Sequence, residues 1–245
     1  MLEVAVFSVG RLSHLSSKLH NLPASISEEK IGGGVFSGFT NALHSSYLLG
    51  ICGFLLLYSV TSTFLYFEQA GIVSSSFADK AAQTEFFAMI DLTVNCLTLI
   101  IQLFLSGRIV VMLGVGLSLA LVPLMTVIGF RLALAPTLTT VGTFQVLRRV
   151  GEFAITRPSR EILYTVVSRE DRYKVKNFID TVVYRLGDQA GAWSVALVRT
   201  INEAPSIAAL VAIPLALLWL VNGLWLGRRE DQLAKQFKKT TESVH

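Results

Sequence analysis

Arg148-Arg-Val-Gly-Glu-Phe-Ala-Ile-Thr-Arg-Pro-Ser-Arg-Glu161 and, further on, Ser168-Arg-Glu-Asp-Arg-Tyr-Lys-Val-Lys-Asn-Phe-Ile-Asp-Thr-Val-Val-Tyr-Arg-Leu-Gly-Asp188 decide how this chain is read. Between Arg148 and Asp188 lie seven Arg, two Lys and six acidic residues. The flanking sequence is strongly apolar. Ionisable groups between segments able to span a bilayer are costly to keep, so charge at this density marks function.

Working outward, the whole chain is greasy. Of 245 residues, 52% are hydrophobic and 16% charged, against roughly 25% charged in a soluble domain. The mean hydropathy is +0.58, and apolar runs recur at about the 20-residue length a membrane helix needs. The fold expected is all-α: an integral membrane bundle of six transmembrane helices. The net charge of +4 is modest. Most of the positive charge falls in loops, the tail and the central stretch, which does not suit a soluble nucleic-acid binder. The four His are scattered, and no metal-ligand spacing, phosphate-cradling Gly loop before a Lys, or nucleophile elbow occurs. An enzyme is not expected, nor a metal or cofactor. Cys52 and Cys96 sit in apolar segments and read as small core residues rather than a disulfide.

Residues 1–40 read as a cytoplasmic N-terminal segment and linker. Met1–Val9 is apolar but too short to span, and lacks the basic start of a secretory signal. Pro23, Glu28, Glu29, Lys30 and Gly32-Gly33-Gly34 mark a flexible, exposed joint. Residues 41–226 form the bundle. The first span, about 43–70, places Tyr58, Ser62, Tyr66 and Gln69 on one face. The second, about 82–105, repeats polar groups at Asp91, Asn95, Thr98 and Gln102, a stripe that faces a cavity or a neighbouring helix rather than lipid. Ser106-Gly107-Arg108 reads as a tight turn. The third span, 109–130, is nearly all apolar, with Pro123 as a kink; Arg131–Pro136 is a short loop.

The fourth span starts near Thr137 and carries Arg149, Glu152, Thr156 and Arg160 on one face, with Arg157 beside them. Pro158 there removes a backbone N–H and frees a carbonyl. After a polar turn, Ser168–Lys174, the fifth span (about 176–199) carries Lys176, Asp180, Tyr184 and Asp188 at four-residue intervals, with Arg185 adjacent. The sixth, 206–226, is apolar, and 227–245 is a basic cytoplasmic tail. The order polar, polar, apolar, polar, polar, apolar is a three-plus-three pattern, that of one half of a major-facilitator-type carrier. With six spans the termini share a side. That side holds thirteen of the 21 Lys and Arg and the other side three, which puts both ends in the cytoplasm and the chain in an inner or plasma membrane.

Arginine's planar fork binds phosphate oxygens two at a time and stays charged when partly desolvated. Arg149, Arg157, Arg160, Lys176 and Arg185 therefore suit an anionic solute, with Glu152, Asp180 and Asp188 holding the bases when the site is empty. The same charges also fit fixed ion pairs that close the cytoplasmic side; Arg148–Glu152 and Arg157–Glu161 have the spacing for it.

Thr156-Arg-Pro-Ser-Arg-Glu161 and the run from Val167 to Asp188 resemble the C-terminal half of the ATP/ADP translocase family, the nucleotide transporters of obligate intracellular bacteria and plastids, and most closely its homologues in free-living bacteria. The matching block covers about forty residues, and the helix pattern extends the similarity over residues 43–226. The resemblance implies a twelve-helix carrier that exchanges nucleotides by alternating access, and a second six-helix half, from another chain or a second copy. It also implies transport roles for an acidic residue near the end of the seventh helix and a Lys at the start of the eleventh, at the positions of Glu68 and Lys176. The chain departs from the family in having six spans, and Leu186-Gly187-Asp188 where Gly-Gly-Asp is common. The reading from a different class is a membrane scaffold or regulatory protein on a facilitator-like fold, with structural charges and soluble ends that dock partners.

Overall fold

The computed structural model describes residues 45–132, 137–167, 169–201 and 205–242, and every element in them is helical. In chain order these are α1 (Ser46–Ser76), α2 (Lys80–Phe104), α3 (Ser106–Leu132), α4 (Leu138–Gly151), a π-helical turn (Glu152–Thr156), α5 (Arg157–Leu163), α6 (Arg169–Phe178), a second π turn (Ile179–Val183), α7 (Tyr184–Ile201) and α8 (Pro205–Glu242). The backbone stays in the right-handed helical region on both sides of each π turn, at Gly151 and Arg157 and at Phe178 and Tyr184. α4–α5 and α6–α7 are therefore two continuous rods, and the described chain is six rods in all. Four of the helices contain a stretch long and apolar enough to cross a membrane: Ser46–Ser76, Lys80–Phe104, Ser106–Phe130 and Leu210–Gln236. The other two rods carry the charges.

Capping side chains fix where helices begin. Asp79 accepts from the Ala81 N–H at 3.1 Å and opens α2; Thr137 accepts from the Thr140 N–H at 3.2 Å and opens α4. α1 is the most buried helix. Its Ile51, Phe54, Leu55 and Tyr58 pack with Leu119 and Val122 of α3, Ile179 of the second π turn, and Trp219 and Leu226 of α8. Two crossings depend on small residues. A Cβ on Gly227 of α8 would run into the Cα of Gly116 on α3, and one on Gly223 would sit 3.4 Å from the Leu119 carbonyl oxygen. On the other side of α1, Gly187 and Gly191 of α7 lie on Ser59 and Thr63. Small residues four apart let helix backbones approach closely, and polar groups join them across the gap: Asn222 donates to the Gly50 carbonyl at 3.0 Å.

α2 stands apart, with only Ile90 and Val94 buried, packed against Val150 of α4. The outer surface is apolar: Val111 and Met112 are 85% and 84% exposed, and Leu92, Leu103 and Trp193 also face out.

Several sequence expectations need correction. Ser106-Gly107-Arg108 is not a turn but the first turn of α3; Leu105 alone separates α2 from α3. The backbone break in α3 falls at Gly114 (φ 74°, ψ 168°), a left-handed conformation that a residue with a Cβ resists, and not at Pro123. Arg131 ends α3 rather than opening a loop. The polar turn at 168–174 is shorter than expected, because α6 begins at Arg169, and residues 227–242 continue α8 rather than forming a separate tail. Cys96 is exposed, not a core residue, and both cysteines are free. The expected N-terminal segment, 1–40, lies outside the described residues.

Candidate functional site

Pro158 leaves carbonyls of the first π turn without a backbone donor. In an α-helix the carbonyl of Ala154 would accept from the N–H of residue 158; in the π register the carbonyl of Phe153 would. Proline has no N–H, so neither bond can form. The Ser106 hydroxyl donates to the Ala154 oxygen at 2.5 Å, and the Gln102 side-chain amide donates to the Phe153 oxygen at 2.9 Å. The end of α2 and the start of α3 thus supply the two missing donors, while the Arg157 N–H closes the π turn on the Glu152 carbonyl.

The π turns also align the charged stripes. Side chains four apart on an α-helix drift by about 40° per step. Over the three steps from Lys176 to Asp188 that is about 120°, enough to carry Asp188 to another face. A π turn takes up one extra residue, which returns about 100°. The second π turn, Ile179–Val183, lies between Lys176 and Asp188, so Lys176, Asp180, Tyr184 and Asp188 keep to one side of the α6–α7 rod. The first π turn does the same for positions 148, 152, 156 and 160.

The two stripes face each other and α1. At mid-bundle Arg148 is 4% exposed; its Nη2 donates to Ser62 Oγ, and its guanidinium lies 5.7 Å from the centre of the Tyr58 ring. One turn on, Glu152 is equally buried, among the charges of Arg148, Arg160 and Arg157. The Ser59 hydroxyl bonds Asp188 Oδ1 and donates to the Tyr184 carbonyl at 3.2 Å; the Tyr58 and Tyr184 rings stand 6.0 Å apart. Nearer the N-terminal end of α1, Arg160 faces Asp180 at 3.6 Å and Lys176 pairs with Glu161 at 2.5 Å. Tyr164 packs under Lys176, and Tyr47 donates to the Leu163 carbonyl at 2.9 Å. Arg172 donates to the carbonyls of Thr165 and Val167, closing the chain end that follows α5.

Of the residues singled out in the sequence, Glu152, Arg160, Lys176, Asp180, Tyr184 and Asp188 come together in this ladder. Arg149 points instead to α2, where it pairs with Asp91. Arg157 is exposed and lies 4.3 Å over the Phe153 ring; the expected Arg157–Glu161 pair does not form, because Glu161 takes Lys176. Arg185 faces away from the ladder, exposed. Glu68 lies past the ladder's last contact, about 9 Å along α1 from Ser62 by helix rise, beside Arg199 and in a small pocket with Gln69, Thr140 and Gln145. A larger open groove of about 410 Å³, between Met125 and Ile128 of α3 and Thr143 and Leu147 of α4, is apolar and does not touch the charges. On α2, Asp91 and Gln102 join that helix to its neighbour rather than line an open cavity.

Sequence reasoning missed Arg148 as the buried arginine and Ser59 as a partner. The spacing of Arg148 to Glu152 and the small polar run Ser59-Val-Thr-Ser62 were the available signals. No protein-family model, curated protein or solved structure matches the chain.

Proposed function

We propose that this chain is one half of a membrane carrier for an anionic solute, of the ATP/ADP translocase type, working by alternating access. Six rods cross the bilayer in a three-plus-three arrangement, with α3 and α8 against lipid, both termini cytoplasmic, and a second six-helix half completing the path. The observation that carries this reading is the row of charges that runs from buried Arg148 and Glu152 to the partly exposed pairs Arg160–Asp180 and Lys176–Glu161, among helices whose outer surface is apolar. Charge kept within a bundle of this kind lines a solute or ion path more often than it serves stability alone. In the empty site the acids hold the bases; an incoming phosphate takes over the guanidinium and ammonium groups, and the released acids re-pair as the half tilts.

Uptake and counter-exchange of labelled ATP and ADP test this, in proteoliposomes holding the chain alone and with a matching N-terminal half. Exchange is expected with both halves present. Arg160→Gln and Lys176→Gln are expected to weaken solute binding about tenfold or more each, the size of a lost charge-assisted hydrogen bond of about 1.5–3 kcal/mol, with the protein still folded. Absence of nucleotide binding and of exchange in both preparations sinks the reading.

The second reading is a non-transporting scaffold. It is favoured by the partners already in place: Arg149 with Asp91, Arg160 with Asp180, Lys176 with Glu161. On that reading the same substitutions lower folded yield and change no binding.

A further inference from the structure

The packing between helices puts four rods in one row. α2 packs on α4, α4 on α1 and α1 on α7. α3 packs on α2 and on the α4–α5 rod, α8 packs on α1 and α7, and α3 and α8 pack on each other. These two therefore cover one side of the row, and no described helix covers the other. α2 and the α6–α7 rod are the row's two ends. Both ends carry exposed polar groups. On the α6–α7 rod, Asn177, Thr181, Arg185 and Gln189 are exposed at four-residue intervals, and the π turn at Ile179–Val183 keeps them to one side. Arg185 has no ion pair or hydrogen bond to any described residue. On α2, Asn95 is exposed with no such partner either, and Asp91 keeps 57% of its side chain exposed while paired with Arg149.

The two ends match in depth. Gly187 lies on Ser59 and Gly191 on Thr63, so α7 runs parallel to α1 and Arg185 is level with Leu57. That is the midpoint of the apolar stretch 48–67 of α1. On the proposed crossing of the bilayer, Arg185 is thus at mid-depth, where ionisable groups face protein or water rather than lipid. Arg148 reaches Ser62 and its neighbour Arg149 reaches Asp91, which sets Asp91 near the level of Ser62. α2 runs back along α1, so Asn95 lies about 6 Å nearer the N-terminal end of α1, near the level of Tyr58. An α7 helix against another α7 would set Arg185 on Arg185, a repulsion. α2 instead offers an acid and an amide at the right levels, and it stands at the opposite end of the same row.

We propose that two copies of this chain associate in the bilayer, α7 of each against α2 of the other, with Arg185 paired across the interface to Asp91 and Asn95 of the second copy. A two-fold axis along the bilayer normal, on the open side of the row, produces this contact. It brings each end of one row to the opposite end of the other, at two equivalent places, and leaves every level unchanged. Arg185 is then beside Asn95 of the second copy and about 8 Å along the axis from its Asp91, which the two side chains together span. The proposal rests on the crossing of the bilayer by six rods and names the carrier's second half as a second copy; it does not depend on transport.

The test uses the full chain in membranes, with Cys52 and Cys96 replaced by Ala. Copies carrying Gln189→Cys and copies carrying Asn95→Cys bear different tags and are co-expressed. A short bis-maleimide is expected to join the two tags in a band of twice the chain's mass. Gln189→Cys alone should give no such band, and neither should Val111→Cys with Leu218→Cys, on the outer helices α3 and α8. Adding Arg185→Asp to both tagged copies should lower the cross-linked fraction about tenfold or more, and so should adding Asp91→Arg to both. With Arg185→Asp on one copy and Asp91→Arg on the other the band should return, because each contact again joins opposite charges. Arg185→Gln, which removes the charge and keeps much of the length, repeats the loss where a charge reversal does not fold. Absence of the tag-to-tag band, or a band from Gln189→Cys alone as strong as from the mixture, overturns the proposal; so does a failed rescue between folded charge variants. A band of another mass from either cysteine, with none between copies, gives the face to a different chain and also overturns it. Labelled ATP and ADP separate this from the carrier reading. Cross-linked dimers that exchange no nucleotide, alone or with a matching N-terminal half, keep the dimer and remove the carrier. Exchange that needs a matching N-terminal half, by a chain with no tag-to-tag band, removes the dimer and keeps the carrier.

Discussion

Arg148 and Arg149 are neighbours in sequence with different surroundings. Arg148 is 4% exposed, against Ser62 and Tyr58, whereas the Arg149 side chain is 30% exposed and pairs with Asp91, itself 57% exposed. An exposed pair contributes at most about 1 kcal/mol, while removing one member of a buried charge cluster costs about 3 kcal/mol or more. Arg149→Gln is therefore expected to leave thermal stability in detergent nearly unchanged, and Arg148→Gln to lower it by about 3 kcal/mol; equal effects would contradict the placement. A glycine pair gives a second contrast. Gly227→Ala drives a methyl into the Gly116 backbone and should cost about 1–3 kcal/mol, as overpacking does. Gly71→Ala meets nothing within 4 Å and should be neutral or slightly stabilising, because alanine favours helix. Circular dichroism melts of the two variants check this.

At the scale of the element, Ser106 and Pro158 form one unit: the hydroxyl replaces the donor that the proline lacks. Ser106→Ala leaves the Ala154 carbonyl unpaired and should cost about 1 kcal/mol. Pro158→Ala restores an N–H that can take that carbonyl, so Ser106→Ala should cost measurably less in the Pro158→Ala background; strict additivity in the double-mutant cycle would refute the coupling. The proline's freed carbonyl was legible in the sequence because the missing N–H is a property of the residue itself. The donors were not, since Gln102 and Ser106 come from another helix pair more than forty residues away. The apolar runs of α1, α2, α3 and α8 were legible from length and hydropathy. The π turns were not: five residues such as Ile179-Asp-Thr-Val-Val183 carry no pattern that separates them from α-helix. Their effect on register is why plain α-helical geometry puts Arg149 on the stripe that Arg148 occupies, while the Lys176–Asp188 stripe keeps to one side of its rod.

For the whole molecule, the proposed topology makes an accessibility prediction. With Cys52 and Cys96 replaced by Ala, a cysteine at Ser75, exposed in the last turn of α1, should react with an impermeant maleimide added outside intact cells. One at Lys235 should react only in inverted vesicles. Labelling of both from the same face would overturn the orientation drawn from loop charge. Finally, α8 is a single 38-residue helix that passes Gly227 and continues to Glu242. From Gly227 that extension is about 23 Å of rod with no joint. It acts as a lever: a tilt of about 10° in the spanning part swings the Glu242 end by about 4 Å at the helix rise of 1.5 Å per residue. On the proposed topology, a fluorophore on the exposed Lys239 would report such a tilt.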